Sequence, residues 1–365
     1  MAVSKKAKNI YNSVFDGTET FAANCISKII ETRDLKRYAP SEPIPKDYAE
    51  AYRAYWKQFG INVSPMWGWY YAARNGNMDV RYVPHTLYYT KIDQHFNARK
   101  LGYGFNDKNY YSKIFAGIKQ PETIVRIFGE GYYSDSEYRQ ITADKAYALI
   151  LEQDEVICKP SQESGSGRSI SFWKPIEDAK NVRSFIERPN GEFIIQGIIK
   201  QHQQLEEVHS GSINTIRICS VFLEDGVHIL SSILRMGVGS SRMDNATASD
   251  NAKYDGMTCG INIDGTLKNT AYGYYTGTKF KSHPDGFVFE GNSIPSYNQA
   301  IELVKKAHQW IPNFKLVSWD IAIDESASPV LVEANMRKGS INFHQFNNGP
   351  LFGDLTDTIM KEVFA

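Results

Sequence analysis

LVSWDIAIDESASPVLVEANM, residues 316–336, reads as two apolar strands joined by a polar turn. The acids within it decide how the rest of the chain is read. With the turn centred between Ser326 and Ala327, simple antiparallel register puts Asp320 opposite Glu333, because both are equally far from that centre. Directly opposed residues point to the same face, with Cβ atoms roughly 5 Å apart. Asn335, two positions along, shares that face by the strand's period of two. Two carboxylates and an amide oxygen then converge, and like charges so placed call for a cation between them. A hard, oxygen-loving ion such as Mg²⁺ suits this set. The competing reading is an exposed hairpin with acidic decoration. Flanking Trp319, Ile321, Val332 and Ala334 are apolar and favour an enclosed face.

Magnesium held by few carboxylates usually brings substrate phosphates with it, and a second stretch fits that need. VICKPSQESGSG, 156–167, runs from an apolar strand through Lys159 into a loop containing Ser164, Gly165, Ser166 and Gly167. Such a loop lets backbone N–H groups approach an anion closely, and Lys159 adds a full charge at its entrance. No Gly-Lys-Ser/Thr follows at the P-loop offset. Alone, the stretch fits a plain hairpin turn equally well; combined with the metal face, phosphate binding is the better reading.

Composition sets outer bounds. The chain has 365 residues, enough for two or three lobes, with 41 basic and 41 acidic side chains. That balance gives no reason to expect a nucleic-acid partner. Cys25, Cys158, Cys219 and Cys259 are widely spaced, and no His cluster accompanies them, so neither a zinc site nor a disulfide framework is expected. The basic N-terminus lacks a long apolar segment, and FAANCISKII is interrupted by Lys28. A soluble, cytoplasmic protein without membrane insertion is expected.

Along the chain, DYAEAYRAYWKQFG (47–60) places apolar residues at helical spacing and ends in Gly60. Residues 1–105 read as a mostly helical, aromatic-rich cap or substrate region. From about 106 to 202, TIVRIFGEGYYS, ITADKAYALILEQ, EVICKP, GRSISFW, EDAKNVRSFIER and GEFIIQGIIKQ alternate strand and helix as one small α+β lobe. From 203 to 365 a larger lobe follows, with a hairpin turning at Glu224-Asp225-Gly226, a helix over SYNQAIELVKKAHQW and the 316–336 hairpin. The polar segment 240–260 is not an EF-hand. Counted from Asp244, it has no acid at the third or fifth position and no Glu at the twelfth.

Arg217 in SINTIRI and Arg235 in SSILRMG sit on adjoining strands among apolar residues, where an unpaired guanidinium is costly. Each needs a partner: an internal carboxylate, or an acyl phosphate or substrate carboxylate held by the bidentate fork. Arg337 follows the metal strand and reads either as an acceptor contact or as surface. His283, in HPDG, reads as a structural loop histidine or as a base for an incoming amine.

Taken in order, these stretches resemble the ATP-grasp superfamily, in particular its D-alanine–D-alanine-ligase-like members. FNDKNYYSKIFAGIKQPETIVR (105–126) resembles the superfamily's opening signature, which implies a phosphate-binding role for Lys108. VICKPSQESGSG is similar to the strand and loop carrying the second phosphate lysine, here Lys159. FIIQGII is similar to the hinge strand whose backbone reads adenine, which implies contacts from Gln196, Gly197, Ile198 and Ile199; the family usually has Glu where Gln196 stands. SWDIAI with VLVEANM resembles the metal strands, matching Asp320, Glu333 and Asn335. NTIR, LRMG and HPDG further resemble a subgroup found beside sugar-transfer and polysaccharide genes.

The resemblance implies two α/β lobes clamping ATP with Mg²⁺. It also implies phosphorylation of a carboxylate followed by attack of an amine, with small-molecule acid and amine substrates, sugar-linked in the subgroup. A phosphotransferase acting on a hydroxyl shares the same ATP half. A non-catalytic nucleotide-binding module is disfavoured by the intact set of Lys108, Lys159, Asp320, Glu333 and Asn335.

Overall fold

Trp319 and Ile321 point into a hydrophobic core and Asp320, between them, points away from it; that alternation organises the larger half of the molecule. The computed structural model describes residues 40, 42–129, 131–162, 169–244, 256–274, 277–336 and 339–364. Ser164, Gly165, Ser166, Gly167 and Arg337 lie outside the described residues, as does Cys25.

Two antiparallel sheets carry the fold. The first contains β1 (Thr123–Phe128), β2 (Tyr132–Ser134), β3 (Gln140–Ile141), β4 (Val156–Pro160), β5 (Ser171–Trp173) and β6 (Phe193–Gly197), in the order β3-β2-β1-β6-β4-β5. Helices α3 (Ala143–Leu151) and α4 (Ala179–Glu187) pack against it, burying Ala146, Ile150, Val182 and Ile186. Thr142 caps α3 by accepting from the Lys145 N–H, as Thr before a helical run should.

The second sheet contains β7 (Thr215–Leu223), β8 (Gly226–Met236), β9 (Met257–Ile261), β10 (Leu267–Gly273), β11 (Lys279–Phe280), β12 (Leu316–Ile323) and β13 (Pro329–Asn335). Its order is β11-β10-β9-β8-β7-β12-β13. Every residue of β12 is buried because both sheet faces are covered. On one face lies α5 (Tyr297–His308), whose Tyr297, Ala300, Val304 and Ala307 meet Ile216, Ile218, Leu234 and Trp319. A buried polar chain locks this packing. The Trp319 indole N–H donates to Ser220 at 2.8 Å, Ser220 bonds His308 Nδ1 at 2.8 Å, and His308 Nε2 meets the Phe314 carbonyl at 2.8 Å.

The mixed α+β organisation and the helical N-terminal region expected from sequence are both present. Helices α1 (Lys46–Lys57) and α2 (Pro65–Asn75) bury Tyr52, Trp56, Tyr71 and Ala72. Helix α1 stops at Lys57, and Gly60 takes φ +73° just beyond it. These aromatics pack against the second sheet and the C-terminal helices. They share one cluster with Cys219 and Val221 of β7, with Phe346 of α6 (Ile341–Asn348), and with Ile359 and Met360 of α7 (Thr356–Phe364). They form part of the hydrophobic core. Cys158, Cys219 and Cys259 are buried free thiols. Among the described residues, no helix is long and apolar enough to cross a membrane.

Candidate active site

Three neighbouring strands project charge from the face opposite α5. Arg217 stands between Ile216 and Ile218, Arg235 between Leu234 and Met236, and Asp320 between Trp319 and Ile321; all six flanking residues belong to the α5-side core. In the ladders, Asp320 pairs with Arg217 on β7 and with Glu333 on β13. Arg217 Nε and Nη2 donate to the two Asp320 oxygens at 2.7 and 2.6 Å, and Arg235 Nη1 donates to Oδ2 at 2.9 Å. Burial pushes the Asp320 carboxyl up, but the two guanidiniums outweigh it and hold it well below the usual carboxylate range. The internal carboxylate is therefore the arginines' partner here, and it is the expected metal ligand itself.

The opposition of Asp320 and Glu333 is present, though the turn differs from the simple reading. Near the turn Ile323 pairs with Pro329, so the loop is centred on Ser326, with Ala327 at φ +58°. A bulge then shifts the register between Asp320 and Ile321, leaving Val332 as the extra residue. This one-residue shift restores the Asp320–Glu333 pairing. Asn335 joins the group, its Nδ2 lying 3.4 Å from Asp320 Oδ2.

Both expected lysines reach this group from the other side of a cleft of 390 Å³. Lys108 lies in a short helical turn whose backbone N–H donates to the Ser161 carbonyl at 2.8 Å, tying the opening signature to the end of β4. Its Nζ donates to Glu333 Oε1 at 2.6 Å. Segment 105–119 also covers the free edge of β13, through Tyr111 Oη on the Ala334 N–H and the Lys119 carbonyl on the Leu331 N–H. Lys159 is buried and lines the cleft; among the described residues no carboxylate lies within ion-pair distance of it. Burial, reinforced by Lys108, pushes its ammonium down to about 8 despite the opposing pull of Glu333.

The cleft's remaining walls are suited to a flat heterocycle. Ile157, Ile170 and Phe172 line it on the side of the first sheet, and Met243 from the segment that follows β8. Strand β6 ends at Gly197, so Ile198 and Ile199 line the cleft outside the ladder. Gln196 lines it as well. Its Oε1 is buried without a hydrogen-bond partner, and its Nε2 has only long contacts of 3.5 Å to Pro121 O and Thr123 Oγ1. An orphaned acceptor on the cleft wall is a place for a ligand donor.

His283 is not part of this group. It is buried away from the cleft lining, with Nε2 2.9 Å from the Gly237 carbonyl and Nδ1 accepting from the Asp285 N–H at 3.2 Å. Both ring nitrogens are engaged.

The sequence matches the sugar-transfer associated ATP-grasp family over residues 88–360, about three quarters of the chain. The chain belongs to that family. Its fold is the ATP-grasp fold, with the cleft between the two sheets. None of the curated proteins matches the sequence. Among solved structures, it is similar to the VanG D-Ala:D-Ser ligase from Enterococcus faecalis (11% identity, 71% of this chain and 60% of that one, TM-score 0.42). It is also similar to the D-alanine-D-alanine ligase from Coxiella burnetii (9% identity, 73% and 58%, TM-score 0.40). A third is the ATP-grasp ligase PsnB with its minimal precursor (11% identity, 71% and 61%, TM-score 0.41). The chain spans about three fifths of the length of each, and likeness this remote carries no argument about activity.

In this ATP-grasp protein the residue types fit Mg²⁺: two carboxylates pair across the ladder, and the neighbouring Asn335 amide, whose Nδ2 faces Asp320 here, can offer its oxygen on rotation. The charge balance fits polyphosphate. Lys108, Lys159, Lys200, Arg217, Arg235 and Arg242 line the cleft with Glu155, Glu206, Asp244, Asp320 and Glu333, leaving a cationic surplus of one. Asp244 pairs with Arg235 at 3.3 Å and accepts from the Thr215 hydroxyl. Sequence reasoning missed Asp244 because it lies in the polar segment tested only for calcium spacing. It also missed Tyr274, whose hydroxyl lies 3.3 Å from Arg235 Nε, and Arg242, which stacks on Phe172 at 4.0 Å and pairs with Glu155 at 2.7 Å across the cleft mouth. An arginine beside a strand-borne aromatic carries no distinctive spacing signal.

Proposed function

We propose that this protein is an ATP- and Mg²⁺-dependent carboxylate–amine ligase working through an acyl phosphate. The observation that carries the reading is the meeting of Lys108, Lys159, Glu333, Asp320 and Arg217 on one cleft, with Lys108 bonded to Glu333 at 2.6 Å. Family membership supports ATP as the nucleotide.

Lys159 and Lys108 bind the phosphates as point charges. Gln196, Gly197, Ile198 and Ile199 hold the adenine edge between the apolar walls. Asp320, Glu333 and Asn335 would hold Mg²⁺, which neutralises charge on the transferring phosphoryl group. A substrate carboxylate oxygen attacks the γ-phosphorus, the bond to the β–γ bridging oxygen breaks, and ADP leaves. Arg217 and Arg235 supply fixed positive charge where the acyl phosphate forms. The amine nitrogen then attacks the acyl carbon, phosphate leaves, and water takes the amine proton. The Ser164–Gly167 loop and Arg337 belong to the same reading, as phosphate cover and acceptor contact.

The substrate class proposed is a sugar-related carboxylate joined to an amino acid or other small amine in surface-polysaccharide synthesis. The family's description supports it. ATP use and the free buried thiols support a cytoplasmic setting.

The test supplies ATP, Mg²⁺ and a panel of uronic acids with hydroxylamine, which traps acyl phosphates as hydroxamates. Hydroxamate from one acid, with ADP released in step, is the expected result. A stable phosphorylated alcohol with no hydroxamate would assign a phosphotransferase instead.

A further inference from the structure

His209, His283 and Asp285 lie apart from the proposed reaction, and the chain brings them together from positions 76 residues apart. Their ligand atoms fall within 4.8 Å of one another. Both imidazoles are buried, while Asp285 opens to solvent.

Each ring is held from behind by a backbone carbonyl. His283 Nε2 is 2.9 Å from Gly237 O, and His209 Nε2 is 3.4 Å from Ser241 O. A carbonyl only accepts, so His283 Nε2 carries the proton and its Nδ1 turns a lone pair inward, whereas His209, with only a long contact to Ser241, is held chiefly through Nδ1. Both Nδ1 atoms approach one carboxylate oxygen: Asp285 Oδ2 lies 2.7 Å from His209 Nδ1 and 3.5 Å from His283 Nδ1. A proton on His209 Nδ1 serves the 2.7 Å contact and leaves His283, at 3.5 Å, outside it. A metal ion serves all three groups. Imidazoles whose second nitrogen is pinned to a backbone carbonyl are the usual arrangement around a protein-bound metal.

We propose that His209, His283 and Asp285 bind one divalent ion of the zinc type, with the remaining coordination open to water beside Asp285. Two imidazoles with one carboxylate suit zinc, whereas magnesium prefers oxygen alone. On loading, the Asp285 N–H releases His283 Nδ1, which it meets at 3.2 Å. The ion is structural. Ser210, Gly211 and Ser212 follow His209 directly and line the cleft, so it fixes the cleft's rim without touching the nucleotide. Sequence spacing argues against a zinc site because its ligands come from two distant loops, which only folding joins.

The test is a zinc titration of chelator-stripped full-length protein, in excess Mg²⁺ and in competition with a chromophoric chelator. One equivalent per chain is expected, with affinity lowered at least about tenfold in both Asp285→Asn and His209→Gln. Glu333→Gln should retain the zinc, which separates this site from the carboxylates of the cleft. Zinc should also raise the melting temperature of the wild type and not of Asp285→Asn, a change at an exposed side chain that leaves the core intact. Equal zinc affinity in the wild type and both variants would overturn the proposal, as would loss of zinc in Glu333→Gln alone. The cluster would then be a His209–Asp285 ion pair.

Discussion

Arg217 lies directly across the β7–β12 ladder from Asp320 and grips both of its carboxylate oxygens, at 2.7 and 2.6 Å. A buried carboxylate held this way is costly to alter from either side, because removing one partner leaves the other's charge unpaired. The same carboxylate heads the proposed metal set, so one residue serves both stability and chemistry.

Asp320→Asn and Glu333→Gln should separate those two roles. Both are expected to lower turnover at least about 100-fold if the pair holds Mg²⁺. Asp320→Asn should also destabilise the protein by up to about 3–5 kcal/mol, since two guanidiniums lose their shared partner. Glu333→Gln keeps an acceptor for Lys108 and should melt closer to wild type. Thermal melts beside Mg²⁺-dependent turnover check this; full turnover in both variants would remove the metal assignment.

ATP affinity should fall as pH rises through about 8, because Lys159 loses its proton there. Stability of the protein alone should move the other way. Lys159 is held below its ordinary lysine value, so between about 8 and that value the unfolded chain binds more protons and stability rises with pH. Calorimetric ATP titrations and denaturation, each from pH 7 to 9.5, read the two effects. Lys159→Ala should flatten both.

Arg217→Lys keeps the charge but loses the fork that matches Asp320. Affinity for ATP should change little, while kcat falls about 10- to 100-fold and hydroxylamine trapping falls with it. Unchanged trapping would leave Arg217 with its structural role alone.

Gln196→Ala should weaken ATP by about tenfold, the worth of roughly one hydrogen bond, and leave tripolyphosphate binding unchanged. The orphaned Oε1 on the cleft wall motivates this. Equal losses for both ligands would mean that Gln196 shapes the cleft rather than reads the base.

The site's direction was legible in short stretches because a strand's period of two is a local rule. SWDIAI and VLVEAN put Asp320 on one face of its strand and Glu333 with Asn335 on one face of theirs, and VICKP put Lys159 near a strand end. The aromatic residues of 47–60 declared a buried helix face by their spacing. Local rules do not say which charges neutralise one another. Arg217 meets Asp320 across 103 positions, and Lys108 meets Glu333 across 225, distances bridged only by strand order and by packing of the two halves. The bulge at Val332, the arrival of Asp244 beside Arg235 and the withdrawal of His283 into a cluster with His209 have the same origin. Each is a contact between segments whose individual patterns leave it open. Side-chain direction follows from backbone geometry a few residues long, whereas pairing of buried charges follows from which surfaces the whole chain closes together.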